Sequence, residues 1–245
     1  MEAFDPYCPQ SVADVAEKLK RDVPPAPFHR HANSNPKETQ QKKSTQCQYC
    51  FKSKGPGVIL YRCSACEIDL YCSKECQRAA WKTHKTKCAI NQSYAEKLPK
   101  SRFALKALRA FTGKHRPTLS EAGIRALGVT TDPSRAERDV LLVLVRPRLD
   151  SPRVETTFCV TAVSIVPLSG FPQAEEMRGQ LQRASEENRR GGSTGALLVM
   201  LMDPINETIN VMAVGFKTAS RRFSQPLATT WEEWLTKRLN EGVVV

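Results

Sequence analysis

The sequence predicts an α+β protein, in which a small cysteine-rich module precedes an α+β domain with a mixed or antiparallel sheet and two helices. Seven of the nine cysteines fall between Cys47 and Cys88. From residue 139 onwards, stretches typical of strands and helices follow one another in the order β-β-α-β-β-α, which favours an α+β domain. We therefore divide the chain into an N-terminal region, the cysteine-rich module, a helical connector and the α+β domain, which span residues 1–46, 47–88, 89–134 and 135–245.

The composition limits the classes of function. A formal net charge of +12 admits a nucleic acid, an anionic membrane surface or an acidic protein as partner. The longest apolar runs, at 140–145 and 196–202, are far shorter than the roughly 20 residues of a membrane-spanning helix, so we expect no membrane partner. The first ten residues lack the basic start and apolar stretch of a secretory signal, which predicts an intracellular protein of the nucleus or cytoplasm. Cysteines in such a reducing compartment are more naturally metal ligands than disulfides.

Residues 1–46 are predicted to hold a short helix and a flexible linker. Ser11 is a suitable cap for an amphipathic helix over residues 11–22. The following stretch, 23–46, contains four prolines, few apolar residues and no periodicity, which is typical of a linker. In the connector, residues 91–112 have a helical pattern that Pro99 should break or restart, and 119–127 predict a second helix ended by Gly128.

Apolar runs of strand length mark the α+β domain. Runs such as LLVLV and ALLVMLM predict strands that are covered on both faces. Thr230 and Glu233 form a capping box for the last helix, which carries Trp231 and Trp234 on its apolar side. The other predicted elements are a helix at 172–190 and strands at 140–145, 154–166, 196–202 and 208–216.

The cysteine-rich module has the spacing of metal ligands, Cys-x2-Cys-x12-Cys-x2-Cys-x5-Cys-x3-Cys-x7-His-x3-Cys. Eight ligands make two four-coordinate sites, and a thiolate-rich set suits Zn²⁺. We expect Ser73 to cap a helix on which His84 and Cys88, four residues apart, can bind the same ion. The sequence therefore predicts two zinc ions per chain, with the ligands Cys47, Cys50, Cys63, Cys66, Cys72, Cys76, His84 and Cys88.

This ligand order, with histidine in seventh place, resembles the MYND zinc finger. The resemblance extends to the run Tyr71-Cys72-Ser73-Lys74-Glu75-Cys76-Gln77 and to Trp81-Lys82-x-His84-Lys85, and it covers residues 47–88 only. It implies that the ligands interleave. One zinc would be held by Cys47, Cys50, Cys72 and Cys76, and the other by Cys63, Cys66, His84 and Cys88.

The resemblance also implies a function, that of an adaptor in protein interaction, with transcriptional regulation as one setting in which it would act. MYND modules are known to bind proline-rich peptides of the PxLxP type in a shallow groove. The residues that match this groove are Leu70 and Tyr71 on a strand, with Gln77 and Trp81 on the helix. Tyr71 and Trp81 can equally form the small core of the finger, and the two roles can coexist. Because protein ligands fill both sites, no position is open for a catalytic water, and we assign no catalytic residue.

Two other functions remain open. The lysines and arginines of the finger and connector are suited to a nucleic-acid backbone. Some MYND proteins also carry a SET methyltransferase domain, but this chain has no Asn-His dipeptide, and Cys159 is its one cysteine after the finger. We expect Cys159 to be packed on a strand and His115 to be solvated in a basic loop rather than catalytic.

Overall fold

The structure is a computed structural model that describes residues 23–34, 46–52, 54–67, 69–97, 99–148, 151–218 and 227–245. The helix expected over residues 11–22 lies outside the described residues, and so does the part of the expected linker at 35–45. Among the described helices, none is both long and apolar enough to cross a membrane.

The finger contains a short hairpin and the start of a long helix. Strands β1 (Tyr61–Arg62) and β2 (Leu70–Tyr71) are antiparallel, with Tyr61 opposite Tyr71. Helix α1 (Lys74–Lys97) follows directly. The backbone N–H of Cys76 donates to Ser73 Oγ at 3.2 Å, which confirms the predicted cap.

Helix α2 (Pro99–Ala126) runs without a break through the segment for which two helices were predicted. It begins at Pro99, where a missing N–H has no cost, and it includes Pro117, which a helix interior disfavours by about 3 kcal/mol. Apolar side chains on both sides of Pro117, including Leu108, Phe111 and Leu119, are fully buried in one core. Tertiary packing therefore outweighs the local preference at Pro117.

The C-terminal elements form a mixed four-stranded sheet. Its strands are β3 (Asp139–Pro147), β4 (Phe158–Pro167), β5 (Gly195–Asp203) and β6 (Thr208–Phe216), and they lie in the order β4-β3-β5-β6. The central strands β3 and β5 are parallel, and each pairs with an antiparallel outer strand, β4 and β6 respectively. The α+β fold is thus confirmed, except that residues 154–156 form a 3₁₀ turn instead of starting a strand. The helices of this region are α3 (Arg135–Arg138), α4 (Ala174–Arg190) and α5 (Trp231–Asn240).

Helices cover both faces of this sheet, as the apolar runs predicted. Leu141 and Val143 belong to the core shared with α2 and α5, whereas Val140 and Leu142 belong to the core shared with α4. Alternate residues of one strand point to opposite faces, so a continuous apolar run fills both cores. Because α2 packs on the sheet, much of the predicted connector contributes to the C-terminal core, and the division into domains stays a prediction.

His115 is buried, contrary to our expectation of a solvated loop residue. Its ring lies 4.5 Å from that of Phe111, and Nε2 donates to the Glu155 carbonyl at 2.8 Å. Burial lowers the pKa of His115 to about 4, so its imidazole is neutral. The cause is the unbroken helix α2, which places His115 on its core face. Cys159 is buried on β4, as expected.

Candidate metal centre

The first cluster of potential ligands joins a turn, the end of β2 and the first turn of α1. Cys47 and Cys50 lie on the turn, which Phe51 closes by donating its N–H to the Cys47 carbonyl at 3.1 Å. Cys50 Sγ is 3.5 Å from Cys72 Sγ, and Cys72 Sγ is 3.5 Å from Cys76 Sγ. All four ligand atoms lie within 4.8 Å of one another.

The second cluster joins a turn beside the hairpin to the middle of α1. Cys63 and Cys66 lie on that turn, while His84 and Cys88 lie one turn of helix apart on α1. His84 Nε2 is 3.4 Å from Cys63 Sγ and 3.7 Å from Cys66 Sγ, and Cys63 Sγ is 3.9 Å from Cys88 Sγ. These ligand atoms also lie within 4.8 Å of one another. The two clusters match the interleaved grouping that the family resemblance implied.

The donor atoms fit zinc. A tetrahedral ion about 2.3 Å from each sulfur places neighbouring sulfurs about 3.8 Å apart, which is close to the observed separations of 3.5–3.9 Å. The cysteines of both clusters are not joined by disulfide bonds, since the sulfur separations are far above the roughly 2.05 Å of such a bond. Two soft, four-ligand sets of this kind fit two Zn²⁺ ions with no position open for a catalytic water.

A buried carboxylate orients the histidine ligand. His84 Nδ1 lies 2.9 Å from Asp69 Oδ2, and Arg109 Nη2 donates to Asp69 Oδ1 at 3.0 Å. This fixes the proton on Nδ1 and leaves Nε2 to face the metal. Sequence reasoning did not identify Asp69 or Arg109. An acidic residue among the ligands gives no distinctive signal, and Arg109 lies far along the chain on α2.

In both clusters, some of the ligands hold their protons when metal is absent. Burial raises the pKa of Cys50 to about 11 and that of Cys88 to about 12. Burial alone would lower the pKa of His84, but its contacts with Asp69 and the two thiols raise it to about 10. Zinc binds thiolates and neutral imidazole, so metal uptake must release protons and must weaken as the pH falls.

The four residues predicted to form the peptide groove lie in different environments. Tyr71 is buried, at 2% exposure, and its ring is 5.7 Å from that of His84. Trp81 remains 45% exposed, with its ring 6.0 Å from that of His84. Leu70 and Gln77 are partly exposed. Successive strand residues point to opposite faces, so Leu70 points away from the face on which Tyr71 and Trp81 flank His84.

A cleft of about 640 Å³ separates the finger from helices α2 and α4 and strands β5 and β6. Polar contacts hold the finger beside it. Lys106 Nζ lies 3.1 Å from Glu67 Oε2, and Arg116 Nη2 donates at 2.6 Å both to Gln46 Oε1 and to the Ala213 carbonyl. Burial lowers the pKa of Arg116 to about 10. This cleft could not be predicted from the sequence, because its walls come from segments far apart in the chain.

Comparison with known proteins identifies the finger. The family model of the MYND finger matches residues 47–88. A SET and MYND domain-containing protein of Dictyostelium discoideum is 44% identical over 52 residues, which are 20% of this chain and 10% of that protein. SET domain-containing protein 14 of Caenorhabditis elegans is 36% identical over 75 residues, or 31% of this chain and 17% of that protein. The histone-lysine N-methyltransferase Smyd1 of Mus musculus is 38% identical over 61 residues, 25% of this chain and 12% of the relative.

The similarity is thus confined to a small part of each protein, since the chain spans between 10% and 17% of the length of these relatives. No solved structure matches the chain significantly. Within residues 47–88, the family match, the two ligand clusters and the ligand order agree. This segment is a MYND-type zinc finger, a zinc-binding protein-interaction module with two metal sites.

Proposed function

We propose that this chain is an adaptor whose finger binds proline-rich peptides of the PxLxP type and that it catalyses no reaction. The observation that carries the proposal is the position of Trp81. Its indole is 45% exposed on helix α1, which is anchored to the metal sites through Cys76, His84 and Cys88. A rigidly held indole face is suited to a proline ring, and its fixed position reduces the entropy lost on binding.

The hairpin suggests how the peptide backbone lies. Gln48 donates its N–H to the Leu70 carbonyl at 2.8 Å, so the outer side of β2 is already engaged. Ile59 lies just before β1 and Tyr61 is its first residue, and both have exposed apolar side chains. We therefore place the peptide along the β1 side, where an extended chain adds to a strand edge. Ile59 and Tyr61 extend the set of contact residues beyond those that the sequence indicated.

Titration of the full chain with a fluorescent PxLxP peptide tests this function. Trp81→Ala should weaken binding at least about tenfold, which corresponds to about 1.4 kcal/mol. Native mass spectrometry should still find two zinc ions in this variant, because Trp81 is not a ligand. Phe103→Ala is the matched control, since Phe103 is an exposed aromatic residue of α2 outside the finger. Equal affinity of the original chain and Trp81→Ala would refute the groove.

Nucleic-acid binding is the alternative, favoured by a basic stripe on α1. Lys74, Arg78 and Lys82 are exposed and follow one another at intervals of four residues. Other basic residues of the region are engaged internally, as Arg109 is with Asp69 and Arg125 with Glu121. Duplex affinity that falls steeply with salt, in the absence of any peptide binding, would favour this alternative.

The absence of methyltransferase activity is part of the proposal. The relatives named as methyltransferases resemble this chain within a limited segment that includes the finger, and that similarity gives no support for a cofactor site elsewhere. Incubation with labelled S-adenosylmethionine and histone peptides should transfer no label, and reproducible transfer would overturn this part. We further propose an intracellular location, in the nucleus or cytoplasm, which imaging of a tagged chain would test.

A further inference from the structure

Residues 23–34, here called the N-terminal strap, lie against the C-terminal domain, with a bend at 28–29 and a turn at 31–34. Two arginines of that domain contact its backbone. Arg153 donates to the carbonyls of Pro27, Phe28 and His29, the last two at 3.0 and 3.2 Å. Arg148 Nε donates to the Pro24 carbonyl at 3.1 Å. These contacts span more than a hundred residues of sequence and hold four residues of the strap.

Arg148 shows that the surface is built to be covered. The residue is only 7% exposed, and its other donors bond to the carbonyls of Thr156 at 3.3 Å and Asn240 at 3.1 Å. Asn240 ends helix α5, where the helix dipole favours a positive charge. Without the strap, Nε would lose the Pro24 carbonyl and would have to exchange this hydrogen bond for one to water. A chain that offers carbonyl groups is therefore the natural ligand of this surface.

A buried carboxylate adds side-chain selectivity. Arg30 lies against Glu155, with Nη2 and Nε at 2.8 and 2.9 Å from Oε1. Glu155 is only 4% exposed, so an arginine that reaches it forms a charge-assisted bond in a partly dry environment. Further along the strap, Ser34 Oγ accepts a hydrogen bond from the Val244 N–H at 3.1 Å. The surface therefore favours a ligand that carries an arginine three residues after a proline, as Arg30 follows Pro27.

The strap's composition suits recognition through its carbonyls. Pro24, Pro25 and Pro27 lack N–H groups and favour an extended backbone whose carbonyls are free to accept bonds. The aromatic side chain of the strap is not what is recognised, because Phe28 is 86% exposed. The ligand class is therefore an extended proline-rich segment followed by an arginine.

We infer that the C-terminal domain carries a second peptide-binding site, formed by Arg148, Arg153 and Glu155, and that residues 23–34 are its built-in ligand. None of these three residues belongs to the finger. The inference is therefore independent of the peptide groove proposed around Trp81.

Cleavage of the folded protein between the strap and the finger tests the inference. A protease site is inserted between Ser34 and Gln46, the full chain is cut, and the released N-terminal fragment is followed by gel filtration and by titration of its labelled form. We expect the fragment to remain bound at micromolar concentration. Arg30→Ala, placed in the fragment itself, should raise its dissociation constant about tenfold without affecting the folding of the remainder. Arg153→Ala should have an effect of similar size.

Two controls make the result specific. Arg190→Ala removes an exposed arginine of α4 that pairs with Glu187, and it should leave the dissociation constant unchanged. Trp81→Ala should also leave it unchanged, whatever its effect on PxLxP peptides. Complete separation of the unaltered fragment on cleavage would overturn the inference. Release by Trp81→Ala would overturn it too, because the finger would then be holding the strap.

Discussion

One carboxylate oxygen of Asp69 lies 2.9 Å from Nδ1 of the zinc ligand His84, and the other accepts a hydrogen bond from Arg109 of helix α2 at 3.0 Å. A ligand of the finger is therefore oriented by a chain of contacts that begins in a helix of the C-terminal core. Orientation of this kind affects how tightly a metal is held.

Asp69→Asn should weaken zinc binding at the second cluster by about 10–100-fold and leave the first cluster unchanged. The amide cannot accept the histidine proton as strongly, so the imidazole becomes a poorer ligand. Competition with a chromophoric chelator would resolve the two sites. Glu67→Gln is the control, because Glu67 is an exposed neighbour that pairs with Lys106 instead of a ligand. Equal losses in both variants would contradict the role of Asp69.

Removal of zinc should unfold the finger while the C-terminal domain remains folded. Structural zinc supplies about 10–16 kcal/mol per site in small finger peptides, whereas the sheet has apolar cores of its own. Hydrogen exchange after chelation should show rapid uptake in residues 47–88 and continued protection in β3 and β5. Cys63→Ser and His84→Ala should reproduce the pattern with metal present. Loss of protection throughout β3 would show that the two parts fold as one unit.

His115 should make the folded state less stable as the pH falls from 6.5 towards 4. Burial lowers its pKa from 6.5 to about 4. The positive charge of Lys114 acts in the same direction, whereas the carbonyl and the negative charge of Glu155 oppose this shift. Within this interval the unfolded chain binds a proton that the folded chain does not, so the free energy of unfolding falls with pH. At pH 5 we expect a loss of about 2 kcal/mol relative to pH 6.5 and above.

Comparison with His115→Asn by urea unfolding at each pH isolates this contribution, since the other titrating groups are common to both proteins. The difference in stability between the two should shrink by the same amount on acidification. A difference that stays constant between pH 7 and pH 5 would mean that His115 titrates normally in the folded chain.

Two glycine substitutions should have opposite effects. Gly242 has φ of +69°, and an added Cβ would lie 2.6 Å from Thr156 Cγ2, so Gly242→Ala should destabilise the fold by about 2 kcal/mol. Gly113 lies within α2 with no atom within 4 Å of an added Cβ, so Gly113→Ala should stabilise by up to about 1 kcal/mol. Thermal unfolding of the zinc-loaded chain measures both changes in stability. Midpoint temperatures that shift in the same direction for the two variants would contradict this geometry.

Features specified by nearby residues could be predicted from the sequence. The spacing of Cys47 and Cys50 on a turn, the cap at Ser73 and the cap at Thr230 involve neighbours within a few positions, and the structure contains them. The apolar runs likewise indicated strands buried on both faces.

Features that depend on distant partners could not be predicted. Pro117 is accommodated inside α2 because the core on either side of it is packed against the sheet. The N-terminal strap is polar and lacks periodicity, and Arg153 contacts its carbonyls, which every residue has. Contacts to backbone carbonyls therefore cannot be predicted from the pattern of side chains in the sequence.

The two hydrogen bonds of Arg116 bear on solubility as well as on the position of the finger. Strand β6 is an outer strand of the sheet, and Arg116 occupies its Ala213 carbonyl while also holding Gln46, the residue before the first zinc ligand. Open strand edges promote self-association unless they are covered. When zinc is lost and the finger comes apart, we expect this edge to become more accessible, so the metal-free protein should aggregate more readily than the zinc-loaded one.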